Sequence, residues 1–244
     1  MKIAVFSDVH ANLPALEAAL AAMQAEGCEA LYHCGDAAVG GPHPEECLDL
    51  LLRTPNLHLL MGNHDAWFAH GLRDPLPSLM DAGELAHQRW VHARLDPGLR
   101  AVVAEWPYLL QVEFEGVHVA LMHYEPAPQP RMPGGEFASV VRDPGPEDLD
   151  RVFGHYGADV VFFGHTHHAA DVVGQARYVD LGSLGCHTEA LARYVVLECQ
   201  GGRYTLEHRA APYDDGPLFR DFEARQVPAR AFLYKAFHGG RFGA

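Results

Sequence analysis

The sequence predicts an α/β protein built on parallel strands, and three observations carry that expectation. Short apolar runs alternate with amphipathic helical segments through residues 1–61, the rhythm of a sheet crossed by helices. Five of the apolar runs end on aspartate, asparagine or histidine. The composition, 48% hydrophobic and 20% charged over 244 residues, is that of a globular chain able to bury a real core.

Taken in order, "MKIAVF" (1–6) is a strand that stops on Asp8 and His10. "NLPALEAALAAMQAEG" (12–27) reads as a helix with Leu13, Leu16, Leu20 and Met23 on one face, capped by Asn12 and stopped by Gly27. "ALYHC" (30–34) is a strand, "PEECLDLLLR" (44–53) a helix and "LHLLM" (57–61) a strand. The rhythm breaks over about 66–115, read as an inserted helical and loop subregion with "ELAHQRWVHARL" (84–95) helical and Trp67, Phe68, Trp90 and Trp106 packing it. "EGVHVALM" (115–122) resumes as a strand, and the proline-rich stretch over about 124–146 is a loop. A helix near 147–156 precedes strands at 158–163, 176–181, 193–199 and 203–208, the last two paired as a hairpin, and a final helix lies near 218–225. Neither a repeat nor a linker interrupts this order, so residues 1–244 are expected to form one domain.

Charge and cysteine content narrow the function. With 18 basic and 32 acidic residues the net charge is −14, which argues against stable binding to nucleic acid. Five cysteines without a C-x-x-C pair point to a reducing compartment, and the expected location is the cytoplasm. No apolar run approaches the ~20 residues of a membrane span. Lys2 and Lys235, the two lysines, follow no glycine-rich loop, no G-x-G-x-x-G follows the first strand, and Ser183 is not in G-x-S-x-G. A P-loop, a dinucleotide fingerprint and a hydrolase elbow are therefore absent.

The strand ends carry the chemistry. They read "SDVH", "CGDAAVGG", "MGNHD", "MHYEP" and "FGHTHH" and supply Asp8, His10, Asp36, Asn63, His64, Asp65, His123, His165 and His167. In an open α/β sheet, ligands bind beyond the carboxyl ends of the strands, so these residues are expected in one pocket. Gly35, Gly62 and Gly164 precede them, where a crowded site needs close backbone approach. Carboxylate, imidazole and amide donors without cysteine suit manganese, iron or zinc. Seven donors are too many for one tetrahedral ion and suit two ions sharing a carboxylate.

D-x-H (Asp8, His10), G-D (Gly35, Asp36), G-N-H-D (Gly62 to Asp65), His123 and G-H-x-H (Gly164 to His167), in that order, resemble the calcineurin-like metallophosphoesterase family. "GDAAVGGPHPEECLDLL" (35–51) and "LGSLG" (181–185) further resemble its bacterial branch of diadenosine-tetraphosphatase-like and Ser/Thr-phosphatase-like proteins. The resemblance implies a four-layer α/β/β/α sandwich of two mixed sheets flanked by helices. It implies that Asp8, His10, Asp36 and His167 hold one divalent ion and that Asp36, Asn63, His123 and His165 hold the other. Manganese is the first choice, with iron, zinc, nickel or cobalt as alternatives. By the same resemblance His64 contacts the phosphate and assists the leaving group, and Asp65 orients His64. Asn12, His43 and Ser183 are expected beside the substrate, and Arg131 is a candidate phosphate clamp. Ala37, Ala38 and Val39 stand where one branch of the family has an acidic residue and an arginine. The expected reaction is hydrolysis of a phosphomonoester or phosphodiester, nucleotides included, by a metal-bridging hydroxide. Dinucleoside polyphosphates and phosphoproteins stay open as substrates, and a non-catalytic metal-binding scaffold is the rival.

Overall fold

The computed structural model describes residues 1–72, 76, 80–127 and 137–241. Its elements are β1 (Lys2–Phe6), α1 (Leu13–Ala25), β2 (Ala30–His33), α2 (Pro44–Arg53), β3 (Leu57–Leu59), α3 (Asn63–His70), α4 (Ala82–His92), α5 (Leu99–Ala104), β4 (Leu109–Phe114), β5 (Val117–Met122), α6 (Pro146–Phe153), β6 (Val160–Phe163), β7 (Ala170–Val173), β8 (Arg177–Asp180), β9 (Leu191–Gln200), β10 (Arg203–Pro212), α7 (Gly216–Ala224) and α8 (Arg230–His238). The strands form two five-stranded mixed sheets, ordered β10-β9-β1-β2-β3 and β4-β5-β6-β8-β7.

Strand alternation explains the layering. Successive side chains point to opposite faces, so a strand that is apolar throughout must be covered on both. Ile3 and Val5 of β1 meet Val119 and Leu121 of β5 and Val160 and Phe162 of β6 in a core between the two sheets. Ala4 and Phe6 face the other way, onto Leu16 and Met23 of α1 and Leu48 and Leu51 of α2. On the far side, Ala120, Met122, Val161 and Phe163 pack against Leu149 and Phe153 of α6. The result is the expected helix–sheet–sheet–helix sandwich. β1 runs parallel to β2, and β2 to β3; β5 runs parallel to β6. Their carboxyl ends therefore open on one rim.

Several elements differ from the sequence reading. Leu109–Phe114, read as part of a helical insert, is β4, an edge strand antiparallel to β5 from Leu109↔Met122 to Phe114↔Val117. β7 and α8 had no forecast. Asn63–His70 is helix α3, so the G-N-H-D segment begins a helix. The expected hairpin forms, but it joins the first sheet, where β9 runs antiparallel to β1. Arg131, parts of the insert and the centre of the proline-rich stretch lie outside the described residues. Among the described residues, no helix is long and apolar enough to cross a membrane.

α7 and α8 pack on each other through Leu218, Phe219, Phe222, Leu233 and Tyr234. His238 closes this cluster at 2% exposure, with its ring centroid 5.2 Å from Phe219 and 6.1 Å from Phe222. Its Nδ1 has no hydrogen-bond partner among the described residues. Burial, helped by Arg241 and His10, lowers its pKa to about 3. The folded chain thus holds His238 neutral while the unfolded chain protonates it below about 6.5. Its contribution to stability is present above about pH 6.5 and is lost as pH falls toward 3. His238→Phe should flatten that loss. Relative to pH 7, the wild type at pH 5 should lose about 2 kcal/mol more than the variant, by denaturant titration at both pH values. Equal losses would show that His238 does not titrate as placed.

Candidate metal centre

The rim is built by strands that end in tight, strained turns. Asp8 and His10 follow β1, Asp36 follows β2, His123 follows β5, and His165 and His167 follow β6. Asn63 and His64 begin α3 just beyond β3. Asp8, His10, Asp36, His165 and His167 all take positive φ, between 49° and 72°. Aspartate and histidine enter this left-handed region more readily than most residues, but each such residue still costs of order 1 kcal/mol. Strain concentrated at one rim is the mark of a site that the surrounding packing holds in place.

Two carboxylates organise the pocket in the same way. One oxygen of each is tied to a peptide, and the other faces imidazoles. Asp8 Oδ2 accepts from the His165 N–H at 3.1 Å. Its Oδ1 lies 3.2 Å from His167 Nε2 and 3.4 Å from His10 Nε2. Asp36 Oδ1 accepts from the His64 N–H at the start of α3, at 3.0 Å. Its Oδ2 lies 3.3 Å from His123 Nε2 and 3.9 Å from both His10 Nε2 and His64 Nε2. Asn63 Oδ1 and His165 Nδ1 are each 3.2 Å from His123 Nε2. Close approach is compulsory here: a Cβ on Gly62 would sit 2.2 Å from Asp36 Oδ1.

The imidazoles are aimed by backbone carbonyls. His10 Nδ1 donates to Val39 O, and His123 Nδ1 donates to Cys34 O at 2.8 Å. Each donation fixes a ring proton on Nδ1 and turns Nε2 into the pocket, the usual preparation of a metal-binding histidine. His10 Nε2 and His167 Nε2 then stand 2.9 Å apart.

The electrostatics call for cations. Burial pushes the Asp8 carboxyl up, but His123, His10 and His167 hold it well below the usual range, so it stays ionised. Asp36 is held low in the same way, by His123, His64 and His10 against burial. Burial disfavours charge on His123, yet Asp36 and Asp8 raise it to about 10. His64 and His165 are lowered mainly by burial, to about 3 and about 4. Asp8 Oδ1 has no hydrogen-bond partner among the described residues although Asp8 is 0% exposed. Donor atoms of Asp36, His123 and His165 lie within 4.8 Å of one another, as do those of His10, Asp36 and His64 and those of His10, His167 and Cys186. An orphaned buried carboxylate oxygen amid convergent imidazoles fits divalent cations, whose binding would release the proton from His123.

All seven expected ligands therefore come together: His10, Asp36, Asn63, His165 and His167 line a cavity of about 680 Å³ with His64, and Asp8 and His123 are buried behind them. Other expected residues serve differently. Asp65 does not orient His64; its carboxylate accepts from the N–H groups of Asp36 (2.7 Å), Ala37 (3.0 Å) and Gly62 (3.0 Å) and so clamps the Asp36 turn. The partner of His64 Nδ1 is Gln88 Nε2, on α4. Asn12 caps α1 through the Ala15 N–H and donates to Gly185 O and Tyr213 Oη. Ser183 Oγ donates to Asp8 O at 2.7 Å, and His43 pairs with Asp221 at 2.7 Å. These three brace the structure behind the rim rather than lining the cavity.

Sequence reasoning missed Gln88, Cys186, Arg193 and Phe237. Arg193, on β9, contributes the one guanidinium among the described lining residues. Phe237, on α8, stacks on His10 with centroids 5.3 Å apart and lies 5.2 Å from His167. No local spacing announces residues that reach the pocket from distant elements.

A family model described as calcineurin-like phosphoesterase superfamily domain matches residues 1–202. An uncharacterized protein of Methanocaldococcus jannaschii is 29% identical over 167 residues, and the match covers 68% of this chain and 62% of that protein. The chain thus spans less than two thirds of the length of that curated relative. A hypothetical protein from Pyrococcus horikoshii superposes with a TM-score of 0.79 at 19% identity, covering 98% of both chains. A metallophosphoesterase from Sphaerobacter thermophilus superposes with a TM-score of 0.69 at 21% identity, covering 97% of this chain and 98% of that one. At these identities the superpositions establish the fold.

Ligation should be visible as stability. Adding Mn²⁺ or Zn²⁺ to chelator-treated protein should raise its melting temperature, the stability rising by about 2.7 kcal/mol per site at a hundredfold excess over Kd. Asp36→Asn should abolish most of that gain, and Gly62→Ala should reduce it by displacing Asp36. An Asp36→Asn protein that gains as much as the wild type would remove Asp36 from the centre.

Proposed function

The chain belongs to the calcineurin-like phosphoesterase superfamily, and on that premise we propose that it is a dinuclear phosphoesterase acting on a small phosphomonoester or phosphodiester, with nucleotides foremost. The observation that carries the reading is the central place of Asp36, with His10 on one side and His123 on the other. Asp8, His10, Asp36 and His167 would hold one ion, and Asp36, Asn63, His123 and His165 the second, with Mn²⁺ as the working metal and the cytoplasm as the setting. Such a pair of ions supplies positive charge against the phosphoryl oxygens and lowers the pKa of water.

The protein's own groups do the rest. The Gln88 amide donates to His64 Nδ1, which leaves the ring proton on Nε2, on the cavity side. Burial and the neighbouring imidazoles keep His64 neutral. A neutral Nε2–H is a hydrogen-bond donor rather than a ready acid, so its role is to stabilise charge developing on the leaving oxygen. Arg193 offers a cation for a further anionic group, and Phe237 offers an apolar wall. A volume of about 680 Å³ is that of a small-molecule pocket, which favours a small ester over a phosphoprotein surface. Dinucleoside polyphosphates are the second reading, favoured by Arg193, and belong in any substrate panel.

The test is turnover of bis(p-nitrophenyl) phosphate, p-nitrophenyl phosphate and diadenosine tetraphosphate with Mn²⁺, with and without chelator. The wild type should turn over at least one, and chelator should stop it. His64→Ala should lower kcat ~10²–10³-fold while elemental analysis still finds the wild-type ion content. A His64→Ala protein that loses an ion would make His64 a ligand instead. Metal-loaded wild type inert toward the whole panel would leave the scaffold reading in its place.

A further inference from the structure

Beyond β8 the chain folds back over the end of β1. Leu184 N–H donates to Ser7 O at 2.9 Å, Gly185 N–H to Asp8 O at 3.0 Å, and Asn12 Nδ2 to Gly185 O at 2.7 Å. The loop lies so close that a Cβ on Gly185 would fall 1.9 Å from Val9 O. Ser183 Oγ links the two segments, donating to Asp8 O at 2.7 Å and accepting from the Cys186 N–H at 2.8 Å. Cys186 is thereby fixed on the cavity wall, 7% exposed, with its thiol free of any disulfide.

Its Sγ and ring nitrogens of His10 and His167 lie within 4.8 Å of one another. Donors on one ion, at about 2.0–2.1 Å for nitrogen and 2.3 Å for sulfur, are separated by no more than about 4.4 Å. The three atoms therefore need only a small contraction to share a cation. An independent observation concerns the same two imidazoles. Asp8 Oδ1, wholly buried and without a hydrogen-bond partner among the described residues, lies 3.4 Å from His10 Nε2 and 3.2 Å from His167 Nε2. A cysteine acting only as a small apolar filler would be packed among hydrocarbon. Cys186 instead shares its wall with His10, His167 and His187.

We propose that Cys186 is a further ligand of the ion held by Asp8, His10 and His167. Its Sγ lone pair forms the bond to the cation, and the thiol proton leaves to solvent. The inference rests on the metal reading above and adds to it a difference between the two positions. The position beside Asp8 includes a soft donor, which favours zinc, cobalt or iron over manganese, while Asp36, Asn63, His123 and His165 offer only oxygen and nitrogen.

Cobalt reports this directly. Metal-free full-length protein is titrated with Co²⁺ alone, and bound cobalt is counted after desalting. The wild type should develop a near-ultraviolet thiolate-to-cobalt charge-transfer band, and Cys186→Ala and Cys186→Ser should lose it. Because a variant can misfold, X-ray absorption of the zinc-loaded wild type provides a second measurement, expected to show a sulfur scatterer at about 2.3 Å. Cobalt bound without the band, or a band that survives in both variants, would overturn the role of Cys186 and leave the dinuclear reading standing. Failure of the wild type to bind cobalt at all would overturn both.

Discussion

Two ionised carboxylates sit inside an apolar sandwich, and their burial is the constraint from which the pocket follows. Asp8 is 0% and Asp36 2% exposed, at the ends of neighbouring parallel strands. A carboxylate removed from water without compensation is costly enough that it would normally take up a proton. Both escape that fate because every nearby element is turned toward them. One oxygen of each takes a peptide N–H, from His165 or from the first turn of α3. The remaining oxygens draw in the ring nitrogens of His10, His64, His123 and His167. Asp65 contributes indirectly, since its three peptide N–H bonds hold the turn that carries Asp36. Its own pKa rises to about 6, mainly through burial and then the nearby Asp36 charge. The clamp thus bears an electrostatic cost of its own.

The parts legible in the sequence were those with a short physical range. Strands buried on both faces are apolar throughout, so β1, β2, β5 and β6 stand out, and a polar residue at the end of each is conspicuous against that background. The parallel connection then brings ends that are far apart in the chain to one rim. What escaped was set by longer-range packing. β4 was hidden because "LLQVEF" sits at a sheet edge with only Phe114 buried, so its pattern is weak. β7 alternates between half-buried and exposed over just four residues. Gln88 reaches His64 from another helix, and Cys186 reaches His10 across 176 positions, so no spacing rule describes either pair. The reading of Asp65 as a partner of His64 failed for a simpler reason. Adjacent residues at the start of a helix point in different directions, and Asp65 turns back toward peptide groups.

Environment, more than residue type, sorts the 17 histidines. His10 and His123 turn Nε2 toward the pocket because Nδ1–H donates to a backbone carbonyl. His87 serves otherwise: its Nε2 accepts from the Gly40 N–H at 2.9 Å, its ring stacks on Trp90, and burial lowers it to about 4. His33 is wholly buried against Phe6 with neither ring nitrogen partnered among the described residues, and burial lowers it to about 3. One side chain thus appears as donor, acceptor and neutral filler within a single domain-sized core, depending on what lies within a bond length of its two nitrogens.

The placement of Phe237 has a practical side. The ring that covers His10 and His167 rides on α8, near the carboxyl end of the chain, whereas the Met1 amine is paired with Glu115 and Cys199 O, at the opposite end of β1 from the rim. Arg241, the last described residue, donates to His187 O on the cavity wall at 3.0 Å, so a purification handle attached beside it would hang next to the pocket. A run of histidines there would compete with the native imidazoles for the same ions. Fused ahead of Met1, the same handle would lie a strand's length from the pocket, although it would disturb the pairing of that amine.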